Sequence, residues 1–262
     1  DVPVMASVSE TVSETTVVTE ETTVPTTTET TTTVTTEPLP EYATVSVAAV
    51  GDNLIHSSIY NQAAARAGGN GYDFTYAYEN AAYLIERADL AIINQETLIC
   101  NDMYEPSTYP RFNSPIALGD HMLDIGFDVF TLANNHTLDK DEAGLIACLD
   151  YWDSRPGAVV AGAYRNAEDR ADIRTGEFEG STFSFLSYTE YLNGLSLPSG
   201  SELEIGNALD LDVITAEIAA AKEVSDVCVV ALHWGVENSD VISDYQRSTA
   251  KALAEAGADM II

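Results

Sequence analysis

The chain has 262 residues, 45% of them hydrophobic, enough for one large domain or two small ones around a real core. Its 42 acidic residues face 11 basic ones, for a formal net charge of -31, and no Lys/Arg cluster interrupts that balance. Binding to phosphate backbones by counterion release needs such clusters, so composition argues against nucleic acid and anionic membranes and favours bound cations.

From Asp1 to about Tyr42 the sequence is mostly Thr, Val, Ser, Glu and Pro, without Lys or Arg. Such a stretch buries too little apolar surface to offset its conformational entropy, so residues 1–43 read as a disordered stalk or linker. Thr-rich tracts with Pro resemble surface stalks, with a plain spacer as the alternative. Eight of the acids lie in this tail, leaving 34 against all 11 basic residues in the remainder. No stretch approaches a transmembrane helix, and the chain starts at Asp1 without Met. The expectation is an exported protein, cell-surface or extracellular, whose signal or anchor is absent from this chain. Cys100, Cys148 and Cys228 have neither disulfide nor ligand spacing, and Cys228 reads as a small hydrophobe in a buried strand.

Folding is expected from Thr44, where Thr44 to Val50 reads as a strand running into Gly51-Asp52-Asn53. Helical patterns follow at Ile59 to Ala67 and Tyr78 to Arg87, then a strand, Leu90 to Ile93, ending in Asn94-Gln95-Glu96. The Pro-, Tyr- and Asn-rich loop from Cys100 to Ser114 is long enough for a functional flap. A helix near Ile116 to Ile125 leads to the strand Asp128 to Thr131 and to Leu132-Ala133-Asn134-Asn135-His136. The next helix spans Asp141 to Asp153, followed by a weak strand at Ala158 to Ala161. Ile173 to Phe178 and Thr182 to Ser187 read as a hairpin across Glu179-Gly180. A helix near Val213 to Glu223 precedes the strand Val227 to Leu232, which delivers His233-Trp234-Gly235-Val236-Glu237. The last helix, about Ile242 to Ala256, stops at Gly257, and Asp259 to Ile262 opens another strand. Alternating strands and helices imply an α/β fold, and the hairpin makes the sheet mixed.

Four strands thus end in Asp52, Glu96, Asn135-His136 and His233, the edge where α/β sheets keep their sites. Mixed oxygen and nitrogen donors suit Mn, Fe or Zn better than Ca. Two metals about 4 Å apart can clamp both oxygens of a phosphoryl displacement, with a carboxylate such as Glu96 between them. An imidazole that is not a ligand can protonate the leaving group, and His136 is the candidate. Asp52 could instead cap the following helix, as could Asn135. His56 reads as a site-wall or packing residue, His121 as a surface histidine, and Glu237 either as solvated or as supporting His233 from four residues away.

On Val50-Gly51-Asp52, Asn94-Gln95-Glu96, Ala133-Asn134-Asn135-His136 and His233-Trp234-Gly235 with Glu237, the chain from Thr44 to Ile262 resembles the CapA family. These are bacterial capsule-synthesis (poly-γ-glutamate) proteins of the calcineurin-like metallophosphatase superfamily. The resemblance implies a metallophosphatase-like sandwich of two mixed β-sheets flanked by helices over residues 44–262. It also implies one or two divalent ions (Mn, Fe or Zn) on Asp52, Glu96, Asn135 and His233, with His136 as general acid. His56, Asn94, Asn134 and Glu237 would face substrate or support the ligands. The implied activity is metal-dependent hydrolysis of a phosphoester or of a bond in an anionic polymer, with envelope capsule-assembly proteins as partners. A non-catalytic polymer-binding or assembly module on the same fold stays open. In the superfamily a His stands two residues after the first Asp, where this chain has Leu54. The family's Gly-His-His-Pro-His motif would follow Ile262, so the domain is expected to be incomplete at its C-terminus and to hold metal poorly.

Overall fold

The computed structural model describes residues 44–262, and the stalk expected over residues 1–43 lies outside the described residues. In chain order the elements are β1 (Val47–Asp52), α1 (Ser57–Arg66), α2 (Thr75–Tyr78), α3 (Ala82–Ile85), β2 (Leu90–Asn94), α4 (Ile116–Asp124) and β3 (Val129–Thr131). Next come α5 (Asp141–Asp153), β4 (Val159–Ala161), β5 (Ala163–Tyr164), α6 (Ala167–Ala171), β6 (Arg174–Phe178) and β7 (Ser181–Thr189). The chain continues through β8 (Glu204–Ile205), α7 (Leu211–Val224), β9 (Val227–His233), α8 (Asp244–Ala256) and β10 (Met260–Ile261).

Two four-stranded sheets are ordered β1-β2-β3-β4 and β10-β9-β7-β6. The first is wholly parallel, and the mixed character resides in the second, where β6 and β7 pair antiparallel while β7, β9 and β10 run parallel. Parallel strands covered on both faces read as unbroken apolar runs, which is why Leu90-Ala91-Ile92-Ile93 is buried throughout. Their side chains nevertheless divide by parity. Leu90 and Ile92 join Val129, Phe183, Phe185 and Val229 between the sheets. Ala91, Ile93 and Phe130 pack outward with Leu118, Met122 and Trp152 of α4 and α5. On the far side Leu186, Cys228 and Val230 meet Ile214 and Ile218 of α7 and Leu253 of α8. The sandwich flanked by helices is therefore the architecture that the family resemblance implies.

Local chemistry sets the element ends. In α8, Ser243 accepts from the Gln246 N–H while the Gln246 side chain accepts from Ser243 N, a capping box that starts the helix two residues later than the apolar pattern does. Gly257 closes it at φ +114°. The expected helix from Tyr78 to Arg87 is instead two single turns, α2 and α3. Asn80 is a poor mid-helix residue, and Tyr78 is anchored elsewhere, its hydroxyl donating to Asn53 Oδ1 at 2.7 Å. In β1 the register slips at Gly51: Val50 pairs with Ile93 but Asp52 pairs with Asn94, so Gly51 is an extra residue, a β-bulge.

Gly162 lies where the two sheets approach, at φ +105°, and a Cβ there would stand 2.7 Å from both Ala133 N and Ser187 Oγ. Gly162→Ala is expected to lower unfolding free energy by about 1–3 kcal/mol through backbone strain and that contact. Urea denaturation measures this, and a loss under about 0.5 kcal/mol would show that the backbone at Ala133 yields freely.

Candidate functional site

Both sheets present their strand C-termini at one rim. Asp52 ends β1, Asn94 ends β2 with Gln95 and Glu96 following, Asn134 to His136 follow β3, and His233 ends β9. These loops are tied by side-chain amides. Asn94 Nδ2 donates to Asp52 Oδ1 at 2.7 Å and lies 3.2 Å from His233 Nδ1, crossing from one sheet to the other. Asn134 Nδ2 donates to Asn94 Oδ1 at 3.1 Å and to the Gln95 carbonyl at 3.2 Å, and Asn134 Oδ1 accepts from His136 N at 3.0 Å. Asn134 thus shapes the turn that presents Asn135 and His136. Beneath it, Asn53 Nδ2 donates to Gln95 Oε1 at 2.8 Å and Gln95 Nε2 to the Thr97 carbonyl at 2.7 Å, fixing the loops that carry Asp52 and Glu96.

Asp52 caps no helix: α1 starts after His56, and the Asp52 carboxylate stands 3.5 Å from His233 Nδ1. The His233 interaction, helped by Asn94, holds the Asp52 carboxyl below its ordinary value despite burial. Glu96 is 4% exposed, with Oε1 3.8 Å from His136 Nε2 and 4.0 Å from His233 Nε2. Burial, reinforced by the charge of Asp52, pushes the Glu96 carboxyl up to about 7. Glu96 Oε2 and Asn135 Oδ1 are buried acceptor oxygens without a hydrogen-bond partner. The other end of the Asn135 amide donates to Asn193 Oδ1 at 3.3 Å.

His136 is 6% exposed. Its Nδ1 lies 2.8 Å from Asp139 Oδ2, which also accepts from Phe112 N at 2.6 Å. With a carboxylate at Nδ1, that nitrogen carries a proton and Nε2 turns toward Glu96. Burial alone would lower the His136 pKa, but the Asp139 hydrogen bond and charge, with Glu96, outweigh it and leave it raised. Asp139 escaped the sequence reading. Its only sequence signal is the three-residue spacing from His136.

The loop expected as a flap does reach the site: Phe112 packs edge-on against His136 at 4.8 Å and against His56 at 5.0 Å. His56 is exposed and lines the same cleft. Glu237 is exposed on the cleft rim, beyond Gly235, whose φ of +97° and closeness to Gln246 leave no room for a Cβ. His121, expected on the surface, is half-buried against Tyr78 because its helix face packs under α2. Among the described residues, no group of three or more His, Cys, Asp or Glu side chains is gathered closely enough to hold a metal ion as it stands. The rim brings together Asp52, Glu96, His136 and His233 with Asn135 on the same cleft wall, but does not close them into a coordination shell.

A two-sheet α/β sandwich with a polar site at its strand C-termini is the class that this architecture defines. A family profile described as bacterial capsule synthesis protein PGA_cap matches residues 46–262, and the chain belongs to that family. It is 28% identical over 139 residues to the PGA biosynthesis protein CapA of Bacillus subtilis (strain 168), covering 53% of this chain and 36% of that protein. To the capsule biosynthesis protein CapA of Bacillus anthracis it is 26% identical over 203 residues, 74% of this chain and 48% of that protein. The chain therefore spans half or less of the length of these curated relatives. Among solved structures, a proposed 5′-nucleotidase from Staphylococcus aureus in complex with alpha-ketoglutarate is similar at a TM-score of 0.46 and 15% identity, over 82% of this chain and 44% of that one.

Proposed function

We propose that this chain is a hydrolase-type domain of an exported capsule-biosynthesis protein, and that its rim binds a divalent cation and works on a phosphoester or a bond of an acidic polymer. The observation that carries the reading is the pair of partnerless buried oxygens, Glu96 Oε2 and Asn135 Oδ1, beside the His136–Asp139 pair. Buried acceptors without donors are costly, and a cation is the partner both can share. Asp52, Glu96, Asn135 and His233 would hold it, a mixed oxygen and nitrogen set suited to Mn, Fe or Zn. When bound, the ion supplies Lewis acidity and lowers the pKa of water.

The chain's own groups divide the remaining work. Asp139 holds His136 with Nδ1 protonated, so that Nε2 faces the cleft and can deliver a proton to a leaving group. Asn94 sets the orientation of His233 and of the Asp52 carboxylate together. The Phe112 ring packs at right angles against the His136 ring and limits its movement. Surface exposure of the protein is part of the proposal and is supported by the capsule roles in its relatives' names.

Titration of the chain with Mn²⁺ followed by elemental analysis tests the reading. Asn135→Ala is expected to weaken uptake by at least about tenfold, and His136→Ala to leave uptake in place while removing hydrolysis of a phosphomonoester or a γ-glutamyl oligomer. No uptake and no hydrolysis by the unaltered chain would sink it. The absence of a closed ligand group among the described residues favours a second reading, a polymer-binding module whose binding His136→Ala leaves unchanged.

A further inference from the structure

The cleft at the rim encloses about 760 Å³, and four carboxylates line it: Asp52, Glu96, Asp139 and Glu237. Arg111 is the single Lys or Arg among its lining residues. In a chain with 11 basic residues against 42 acidic ones, a lone arginine on the wall of an acidic cleft needs an explanation. Its backbone is pinned, since the Arg111 carbonyl accepts from Ser107 Oγ at 2.9 Å and from Lys140 Nζ at 3.2 Å. Its side chain is not used up. Nη2 donates to the Leu138 carbonyl at 3.3 Å and to Asp141 Oδ1 at 2.7 Å, the latter carboxylate being 72% exposed. Nε is buried without a partner. The other arginines in ion pairs among the described residues, Arg155, Arg165, Arg170 and Arg174, all donate from Nε to a protein oxygen. Arg111 also directly precedes Phe112, whose N–H holds the acceptor of His136.

We infer that Arg111 is a specificity-determining residue that pairs with an oxyanion of the substrate, a carboxylate or a phosphate, and seats it beside His136. The inference rests on the reading of this cleft as a substrate site. A guanidinium fork matches both oxyanions, and its always-charged state offsets the repulsion that the four carboxylates impose on an anion. The Arg111 side chain is 41% exposed, and the exposed Tyr109 and Asn193 line the same cleft.

Calorimetric titration with inorganic phosphate and, separately, with glutarate tests this, each with and without Mn²⁺. Arg111→Gln is expected to weaken the preferred probe roughly 10- to 100-fold, the scale of a lost charge-assisted hydrogen bond, and Arg111→Lys less so. Which probe responds identifies the oxyanion. Asp141→Asn removes the ion pair but keeps the guanidinium, and should bind as tightly as the unaltered chain. Equal affinity in Arg111→Gln, an equal loss in Asp141→Asn, or no binding of either probe by the unaltered chain would overturn the inference. If the chain takes up no Mn²⁺ yet Arg111→Gln still weakens the probe, the hydrolase reading falls and the role of Arg111 stands.

Discussion

Trp152→Ala is expected to cost about 3–5 kcal/mol of stability, the range for removing a large aromatic ring from a packed core. Trp152 is 2% exposed, with its ring centroid 4.2 Å from Phe130 and 4.9 Å from Tyr151. The Phe130 contact joins α5 to β3, the strand that leads into Asn134 to His136, so the cavity would open against that strand. Trp152→Phe keeps a ring against Phe130 and should recover most of the loss. Urea unfolding at constant m-value is the measurement, and a deficit below about 1.5 kcal/mol would mean that α5 collapses into the space at little cost.

Changing Asp139 should act on both stability and the imidazole. Asp139→Ala leaves Phe112 N–H and His136 Nδ1 buried without an acceptor, at about 1–3 kcal/mol for each group. Because the one oxygen Oδ2 serves both groups, Asp139→Asn with its amide oxygen in that place keeps an acceptor for Phe112 N–H and for His136 Nδ1–H but removes the negative charge. Imidazole ¹⁵N shifts followed against pH should then show the Nδ1–H tautomer retained and the ring losing its second proton at lower pH, and an unchanged titration would contradict it. The pH dependence has a definite sign. The folded-state pKa of His136 lies above its ordinary value of 6.5, so between the two values the native state holds more proton than the unfolded chain. The associated stability is fully present below pH 6.5 and lost as pH rises through the folded value. Asp139→Asn should remove that decline, which unfolding midpoints on either side of neutrality would detect.

Much of the site was legible because parallel strands hide their sides but must end somewhere. An apolar run stopping at Asp52, at Asn94-Gln95-Glu96, at Asn134-Asn135-His136 or at His233 marks a C-terminal edge without knowledge of the neighbouring strand. What the sequence left hidden depends on contacts between loops. Asp139 gains its meaning from Phe112 N, twenty-seven positions away. Arg111 lies in a loop with no periodicity, and its backbone on the cleft wall is held by the Ser107 and Lys140 contacts to its carbonyl. The strands β5 and β8, two residues each, are too short for an alternating pattern to register. Helix α2–α3 was misjudged because the tertiary pull on Tyr78 outweighed propensity.

The bulge at Gly51 has one more consequence. Counting in twos along β1 from Ala48, which packs on the helix side, Asp52 would also face the helices. The added residue reverses that parity, so Asp52 shares a side with its partner Asn94 and looks across to His233 on the opposite sheet. A single inserted position, with nothing changed in the hydrophobic layers below, thus decides whether this carboxylate belongs to the core or to the cleft. Because β1 is the outer strand of its sheet, the extra residue disturbs the ladder on one side only.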